Sequence, residues 1–520
     1  MQKFTLLVNG EDLDTGVYGY FPYADKFISD FKNTFRVMTD IKLGKIKEES
    51  KEAKEYVFAK YCLGDSEINK SALASAYQAF QKFRKFSLAA RKKFLLDCYD
   101  LLLKKKDEFI NLMIIEGHPR KLAEWEFEGM RMGTCPETIN FYCQQAQEEI
   151  GRYKNEVLYW SRKPDGVVCM TTPANASASD SYNGLLVLIT GNTIVVRPSL
   201  GAPISTIFLW KEVVAEAAKK NSLPPGVINI VVGNPKKMMD EWLNSTLVND
   251  IVFFGDSNRG LEIGAKIFQA GKKPILELSG NDILAVWKDA DTDKASESLL
   301  DCFLGSTQIC MVPKIALIHN NIYQIFLNSL LQKIKNIKAG LPSNPNTILA
   351  PVGKIKDYLD YLDDAIKKGA KIIYGGERLN YLNIPDEEGM YIRPTLLEVD
   401  DVVKAANMRC VKEEIFFPLL PLIIVKGTDE EICEKMIQFI NRHDFGIRTS
   451  IWISSAKYTR IFAKYLLNSG MLRINSRHIQ FSPLLSTHGG TKKSGGPFGE
   501  MNYFWQKTSH LQGISRTTTI

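Results

Sequence analysis

The chain has 520 residues, a formal net charge of +7 at pH 7 and nine cysteines. That length exceeds what one hydrophobic core usually supports, so more than one domain is expected. The weak positive charge, with acids and bases interspersed, gives little support for nucleic-acid binding. The cysteines form no Cys-x-x-Cys pair and the six histidines no His-x-x-x-His pair, which argues against a disulfide framework and a metal site.

The amino terminus and the cysteines together indicate a compartment. The first apolar residues are soon interrupted by Asn9 and Glu11, so no signal peptide is expected. No apolar run approaches membrane-spanning length. Unpaired thiols are typical of a reducing environment. We therefore expect a cytoplasmic protein that binds neither membrane nor nucleic acid.

The first third of the chain is mainly helical in pattern. Residues 4–8 predict a short strand that turns at Asn9-Gly10. Residues 11–70 give no clear pattern, and their charged part from Lys42 to Lys54 is interpreted as a solvated helix or loop. Helical periodicity then predicts three helices, one from Asn69 or Ser71, one over 88–116 and one over 121–148.

From residue 156 onwards short apolar runs alternate with helical segments. The predicted strands are 156–160, 166–171, 193–197, 226–231, 250–254, 284–287 and 314–319. The predicted helices are 204–220, one near Met238, one near Lys294 and 323–335. This alternation is typical of parallel βαβ units, so the pattern predicts an α/β protein of two lobes packed on one another.

Two residues between the predicted strands carry reactive chemistry. Glu277 stands beside the turn residues Ser279-Gly280, and Cys310 lies about thirty residues further on in a small polar loop. A thiolate attacks carbonyl carbon, and a carboxylate activates a thiol or a water molecule. Taken alone, such residues are more often a core cysteine and a solvated acid, so the pair needs support from the rest of the chain.

That support comes from eight short blocks. They are Pro173-Ala174-Asn175, 191–199, 223–229, 253–260, Glu277-Leu278-Ser279-Gly280-Asn281, Gln308-Ile309-Cys310, 413–418 and 489–495. In order and spacing the blocks resemble those of the aldehyde dehydrogenase superfamily, over roughly residues 69–512. One block would be weak support, whereas eight in register make a specific match.

The resemblance implies a catalytic mechanism. Cys310, as a thiolate, would attack an aldehyde, and the side-chain amide of Asn175 with the backbone N–H of Cys310 would stabilise the oxyanion. Hydride would pass to a nicotinamide and leave a thioester, and Glu277 would activate the water that releases the acid. The resemblance thus implies oxidation of an aldehyde to a carboxylic acid.

The resemblance also implies NAD or NADP as the cofactor. The implied cofactor-binding residues are Thr171, Arg197, Ser199, Gly233, Gly255, Asp256, Glu414 and Phe416. Asp256 stands where the family usually has serine, and Leu200 replaces a glutamate that often follows Pro-Ser. Arg197 replaces the usual lysine and adds a fork suited to phosphate, so NADP is slightly favoured.

The family fold implied is two Rossmann-like α/β lobes plus a small β oligomerisation element. We predict a cofactor-binding domain at 1–137 and 161–278, a catalytic domain at 279–480, and the oligomerisation element at 138–160 and 481–520. The resemblance implies that the β strands of this element pair with the sheet of a second subunit. We therefore predict a homodimer or homotetramer.

Three functional alternatives stay open at this point. The first is hydrolytic aldehyde oxidation, and the second is a coenzyme-A-acylating dehydrogenase, against which Glu277 argues. The third is an inactive binding protein on the same scaffold.

The tail around His488-Gly489-Gly490 also resembles ring-cleavage semialdehyde dehydrogenases of phenylacetate and benzoate degradation, which act on coenzyme-A-linked semialdehydes. The sequence does not name the aldehyde.

Overall fold

Two seven-stranded sheets form the frame of the protein, in a computed structural model that describes residues 1–497 and 499–517. The first sheet contains, in spatial order, Lys273–Glu277, Val248–Phe254, Val167–Thr171, Thr193–Arg197, Ile228–Ile230, Leu6–Val8 and Glu11–Leu13. Its first five strands are parallel, and Leu6–Val8 joins antiparallel. The predicted α/β class is confirmed.

The second sheet lies in the second half of the chain. In spatial order its strands are Lys371–Tyr374, Thr395–Val399, Leu419–Val425, Pro313–His319, Asp282–Val286, Arg448–Trp452 and Met471–Ile474. Alternate residues of Asp282–Val286 belong to two different hydrophobic clusters, so both faces of this sheet are covered. Strands buried in this way appear in sequence as continuous apolar runs, which is why most of them were predictable.

The longer helices of the first lobe differ from the predicted ones at their ends. They are Phe31–Lys42, Ser66–Phe83, Leu88–Lys104, Lys106–Ile115, Arg120–Gly133, Pro136–Gln145, Ile204–Phe208 continued through Leu209–Ala215 to Glu216–Lys220, Pro235–Asn244 and Ser257–Gln269. Shorter helical segments are Ala24–Ser29, Lys51–Tyr56, Ser177–Tyr182 and Asn183–Ile189.

Three helix predictions were wrong in detail. The first helix begins at Ser66, because the side chain of Asp65 accepts a hydrogen bond from the backbone N–H of Ile68 and caps it. The segment 88–116 is two helices, separated at Lys105. The segment 121–148 is also divided, because Pro136 opens a new helix.

The second lobe carries its own helices around the second sheet. They are Thr292–Leu300, Asp301–Thr307, Asn320–Ile322, Tyr323–Lys333, Ile334–Asn336, Ile355–Lys367, Val402–Ala405, Arg409–Lys412, Asp429–Arg442 and Ala456–Tyr465. The segment Asp301–Thr307 leaves helical geometry at Leu304, Gly305 and Ser306. Two small two-stranded sheets pair Arg378–Leu379 with Tyr391–Ile392 and Phe445–Gly446 with Thr491–Lys492. Within the described residues no helix combines the length and the apolarity needed to cross a membrane.

Most of residues 11–70, which gave no clear pattern, build a small layer beside the first sheet, whereas Glu11–Leu13 joins that sheet and the helix Ser66–Phe83 begins within the range. Tyr18–Pro22 and Gln2–Phe4 flank Val57–Cys62 in a three-stranded sheet. The helix Phe31–Lys42 packs beside this sheet, with Val37 and Ile41 in a small cluster. The charged segment after Lys42 is a turn followed by a short helix capped by Ser50.

A second three-stranded sheet stands at the proposed oligomerisation element. It contains, in order, Ser509–Thr517, Glu156–Pro164 and Glu149–Tyr153, all antiparallel. The helix Pro136–Gln145, most of which the prediction placed in the same element, instead contributes Ile139 and Tyr142 to the core of the first lobe. Residues 498 and 518–520 of the predicted element lie outside the described residues. The helix Phe504–Lys507 precedes the last strand.

Candidate active site

Cys310, Glu277 and Asn175 come together in a cleft at the strand ends of the two sheets. Glu277 closes the strand Lys273–Glu277, Asn175 follows Val167–Thr171, and Cys310 precedes Pro313–His319. Two cavities meet there. The wide cavity measures about 440 Å³ and is lined by Glu277, Gly255, Asp256, Glu414 and Phe416, among others. The narrow cavity measures about 40 Å³ and is lined by Trp125, Met130, Ser179, Ile309 and Phe481, among others.

Six residues line both cavities and so mark their junction. They are Asn175, Asp180, Cys310, Met311, Thr487 and His488. The predicted nucleophile and oxyanion donor are therefore at the junction, whereas Glu277 lines the wide cavity only. This arrangement suits a reaction in which two different molecules approach one thiol from two sides.

The loop that carries Cys310 is held in an unusual backbone conformation. Gly305, Ser306 and Thr307 have φ of 59°, 58° and 65°, a region that a β-branched residue such as threonine rarely adopts. The hydroxyl of Ser306 donates a 2.6 Å hydrogen bond to the carbonyl of Ala350 and accepts one from its N–H at 3.0 Å. Tertiary contacts, and not local preference, therefore hold this loop.

The thiol of Cys310 lies in surroundings that disfavour its charge. Burial raises its pKa well above the ordinary value, the carboxylates of Asp180 and Glu414 raise it further, and the ammonium of Lys314 opposes them. Cys310 is half-buried, whereas the other eight cysteines are buried. The thiol is thus the most accessible in the chain but is mainly protonated at neutral pH.

Asn175 is fixed on both sides. Its side-chain Nδ2 donates a 3.0 Å hydrogen bond to the carbonyl of Gln308, two residues before the thiol. Its own carbonyl lies 3.0 Å from Nε2 of His118. Burial lowers the pKa of His118, but Glu126, 3.3 Å away, together with the carbonyl of Asn175 and the carboxylate of Glu116 raises the pKa to about 9. Since a primary amide has two N–H groups, one donor of Asn175 is left for a ligand.

Glu277 is a buried carboxylate with one donor on each oxygen. Its Oε1 accepts from Nδ2 of Asn502 at 2.7 Å, and its Oε2 accepts from the N–H of Gly489 at 2.9 Å. Burial raises the pKa of Glu277, and the nearby His488 together with these donors opposes that rise. A carboxylate with a raised pKa is suited to accept a proton near neutral pH.

Four of the eight predicted cofactor residues line the wide cavity, namely Gly255, Asp256, Glu414 and Phe416. Asp256 caps the helix Ser257–Gln269, since its Oδ1 accepts from the N–H groups of Asn258 at 3.0 Å and Arg259 at 3.1 Å. Part of the donor capacity at this helix start is therefore already used by the chain itself.

The other four predicted cofactor residues lie outside that lining. Thr171 and Arg197 are paired across neighbouring strands, and the hydroxyl of Thr171 and Nε of Arg197 are buried without a partner among the described residues. The N–H of Ser199 donates to the hydroxyl of Thr172 at 2.9 Å. Gly233 lies against Met238 and the carbonyl of Gly64. Unpaired buried polar atoms fit a site that a polar ligand completes.

Lys314 is a site residue that sequence reasoning missed. It is fully buried, and its Nζ donates to the carbonyl of Gly280 at 2.9 Å and to Oε1 of Glu414 at 3.0 Å. The same ammonium lies 4.6 Å from the ring centre of Phe416. A lone lysine at the start of an apolar strand was the available signal, because a buried cation requires a partner.

Asp180, His488 and Asn502 were also missed as site residues. Nε2 of His488 lies 2.9 Å from Oδ1 of Asp180, and Nδ1 lies 2.6 Å from the hydroxyl of Thr487. The sequence singles out His488 only through its tail motif and contains no signal for Asp180. The structure places both beside Cys310.

Comparison with known proteins gives the family. The Aldehyde dehydrogenase family matches residues 42–513. A mitochondrial succinate-semialdehyde dehydrogenase of Arabidopsis thaliana is 31% identical over 448 residues, 84% of this chain and 79% of that protein. A lactaldehyde dehydrogenase of Methanocaldococcus jannaschii is 30% identical over 452 residues, 86% of this chain and 92% of that protein.

A solved structure agrees with these matches. The glyceraldehyde-3-phosphate dehydrogenase of Methanocaldococcus jannaschii, crystallised with NADP, superposes with a TM-score of 0.76 at 28% identity, over 89% of this chain and 96% of that one. The family inferred from the eight sequence blocks is confirmed. The chain belongs to the aldehyde dehydrogenase family and is an NAD(P)-dependent oxidoreductase that acts on aldehydes.

Proposed function

We propose that Cys310, Asn175 and Glu277 are the nucleophile, the oxyanion donor and the hydrolytic base of this oxidation. The observation that carries the proposal is the junction of the two cavities at the Cys310 thiol, with Asn175 beside it and Glu277 in the wall of the wide cavity. The thiolate of Cys310 adds to the aldehyde carbon and forms a thiohemiacetal. Its high pKa makes loss of the thiol proton an early requirement.

Asn175 then stabilises the negative charge that develops on the aldehyde oxygen. Its Nδ2 is already held by the carbonyl of Gln308, so the amide needs no rearrangement to present its second N–H. The backbone N–H of Cys310 is the second proposed donor. Preorganised donors of this kind commonly contribute a factor of about 10² to 10³ in rate.

Glu277 acts last, when the acyl group is held on Cys310 as a thioester. It takes a proton from water, and the hydroxide adds to the acyl carbon and expels the thiolate as the acid is formed. Its two donors, Asn502 and Gly489, keep the carboxylate in place and limit the rise in its pKa. A base that is hydrogen-bonded but still titratable suits this step.

The wide cavity is the proposed place of the cofactor. NAD(P) supplies the hydride acceptor when bound. Gly255 and Asp256 would face its phosphates, and Glu414, held by Lys314 and Gly280, would accept from a ribose hydroxyl. Phe416 would pack nearby. Thr171, Arg197, Ser199 and Gly233 would hold the part further from the thiol, and the unpaired polar atoms of the first two support this.

The proposal also covers the oligomeric state of the protein and the compartment in which it works. The sheet of Glu149–Tyr153, Glu156–Pro164 and Ser509–Thr517 carries exposed apolar side chains and two edge strands, which favours pairing with a second copy in a homodimer or homotetramer. The nine cysteines are all unpaired thiols, which supports a reducing compartment such as the cytoplasm.

One assay tests this function against its rivals. Reduction of NAD or NADP is followed over a panel of aldehydes, with and without coenzyme A. Turnover without coenzyme A supports the hydrolytic route, and turnover only with coenzyme A would indicate the acylating alternative. Cofactor binding without reduction by any aldehyde would point to the inactive scaffold. The panel includes succinate semialdehyde and lactaldehyde, which two relatives are named for.

A further inference from the structure

An ionisable pair, Asp180 and His488, lies at the junction of the two cavities and has no role in the proposed mechanism. Both residues are more than nine-tenths buried. Nε2 of His488 lies 2.9 Å from Oδ1 of Asp180. The imidazole is wedged between Phe254 and Phe504, whose ring centres lie 5.8 Å and 6.3 Å away. The pair is therefore rigidly held at the point where an aldehyde meets the thiol.

Among the described residues, only one oxygen of Asp180 has a hydrogen-bond partner. Oδ1 faces His488, whereas Oδ2 makes no hydrogen bond to any of the described residues. Asp180 nevertheless lines both cavities with Cys310. An ionised carboxylate has several acceptor sites and no donor. A group that occupies the narrow cavity is thus offered a strong acceptor close to the reacting carbon.

The charges of the other residues that line the narrow cavity restrict which substrates can bind there. Among the described residues its lining contains no lysine or arginine, and it contains a second carboxylate, Glu126. Both oxygens of Glu126 are occupied, one by the hydroxyl of Ser179 at 2.5 Å and the other by His118 at 3.3 Å. Burial lowers the pKa of His488 in the same lining, but Asp180 outweighs burial and raises it, and this imidazole is already paired with Oδ1 of Asp180. A carboxylate on the substrate would therefore meet the open Oδ2 of Asp180 across a low-dielectric space, with no unpaired cation among the described lining residues.

The size of the narrow cavity sets a further limit. It measures about 40 Å³. A water molecule needs roughly 10–15 Å³ of such space, so the cavity has room for about three water-sized groups. Trp125, Met130 and Phe481 form its apolar side. A short chain with one hydrogen-bond donor fits these walls, and a long or anionic chain does not.

Resting on the proposed function, we propose that Asp180, held by His488, is a specificity-determining residue that accepts a hydrogen bond from a hydroxyl on the carbon next to the aldehyde. The substrate class is thereby a short, neutral 2-hydroxyaldehyde. Aldehydes that carry a carboxylate in the place of the hydroxymethyl group are rejected by the charge of Asp180. His488 acts through Asp180, whose carboxylate it orients.

Three aldehydes of nearly equal size test this proposal. They are acetaldehyde, glycolaldehyde, which adds the hydroxyl, and glyoxylate, which replaces the hydroxymethyl group with a carboxylate. For each, kcat/KM is measured with the full-length protein and a saturating cofactor. We expect glycolaldehyde to exceed acetaldehyde by about tenfold or more, the usual strength of a hydrogen bond to a charged group. Glyoxylate should fall below acetaldehyde.

The variant Asp180→Asn keeps the shape of the side chain but removes its charge. We expect the glycolaldehyde-to-acetaldehyde ratio to fall by about tenfold and the glyoxylate-to-acetaldehyde ratio to rise. Effects on folding or on the reactivity of the thiol alter all three substrates alike and cancel in these ratios. Glu128→Gln is the matched control, since this half-buried carboxylate pairs with Arg131 and does not line the cavity.

Several outcomes would overturn the proposal. Equal kcat/KM for glycolaldehyde and acetaldehyde in the unaltered protein would do so, and this needs no variant to fold. Ratios that Asp180→Asn leaves unchanged would do so as well, since Asp180 would then have only a structural role. Absence of cofactor reduction with every aldehyde is a different result, because it contradicts the proposed function and not the substrate class.

Discussion

The side-chain amide of Asn502 donates a 2.7 Å hydrogen bond to Oε1 of Glu277 from 225 residues further along the chain. With the N–H of Gly489 on Oε2, this contact gives each carboxylate oxygen one donor. A glutamine at this position can accept only one of the two hydrogen bonds, since its –NH₂ group would face a donor. The two donors thus favour a carboxylate at this position. They also make the carboxyl-terminal segment part of the surroundings of Glu277.

We expect Glu277→Gln to block release of the acid more than formation of the acyl-enzyme. Glutamine keeps the shape of the side chain but cannot accept the proton of water. The expected observation is one burst of reduced cofactor followed by a stall, with the acyl-enzyme visible by intact-protein mass spectrometry. Glu262→Gln, an exposed residue on the helix Ser257–Gln269, is the control. Unaltered steady-state turnover would place the base elsewhere.

Cys310→Ala should abolish aldehyde-dependent cofactor reduction and leave the fold and cofactor binding intact. No other cysteine lines either of the two cavities, so no substitute nucleophile of this type is available among the described residues. Cys433→Ala, on the helix Asp429–Arg442, should keep its activity and serves as the control. Turnover of Cys310→Ala at a rate close to that of the unaltered protein would refute the assignment.

The pH dependence of thiol alkylation tests the surroundings of Cys310. Burial raises the pKa of this thiol, so the reactive thiolate is a minor form at neutral pH and grows as the pH rises. From about pH 7 to about pH 9 the rate of alkylation by iodoacetamide should rise about tenfold per pH unit. Peptide mass spectrometry should find Cys310 modified first, because the other eight cysteines are buried. A plateau already at neutral pH would show a lowered pKa instead.

We predict a dimer or a larger oligomer in solution. Ile150, Tyr153, Trp160 and Leu511 are exposed apolar residues on the three-stranded sheet, and such a surface is usually covered. Light scattering at micromolar concentration is the measurement. Leu511→Lys should weaken assembly, whereas Leu467→Lys, at an exposed leucine outside this sheet, should not. A monomer for the unaltered protein would contradict the prediction.

NADP should be accepted at least as well as NAD. Leu200 neither binds a ribose hydroxyl nor repels a phosphate, and Arg197 keeps a positive charge with an unpaired Nε. An arginine–phosphate contact contributes on the order of 1 kcal/mol, roughly five- to tenfold in affinity. A carboxylate turned to the ribose would favour NAD by taking the place of the missing glutamate, but Oδ1 of Asp256 is engaged in capping a helix.

The ratio of kcat/KM for the two cofactors with one good aldehyde measures this preference. A preference for NAD of about tenfold or more would mean that Leu200 and Arg197 were misinterpreted. Asp256→Ser would then be the variant to examine, because it removes the negative charge at the helix start.

The sequence by itself determined the family, the α/β class and most strands. Parallel strands buried on both faces leave continuous apolar runs, so 193–197 was predicted with the bounds that Thr193–Arg197 has in the structure. The eight blocks also pointed to Cys310, Glu277 and Asn175, because their order along the chain is itself the signal. Helix ends were less predictable, since caps such as Asp65 and breaks such as Pro136 act over a few residues only.

Only the tertiary structure decided which polar groups surround the thiol. Asp180 and His488 are 308 residues apart, and Lys314 meets Glu414 across 100 residues. Hydrophobic periodicity reports burial on one element and contains no information on which buried polar side chains face each other. Those pairings arise because segments that are distant in sequence meet at one cleft, where each buried charge must find a partner.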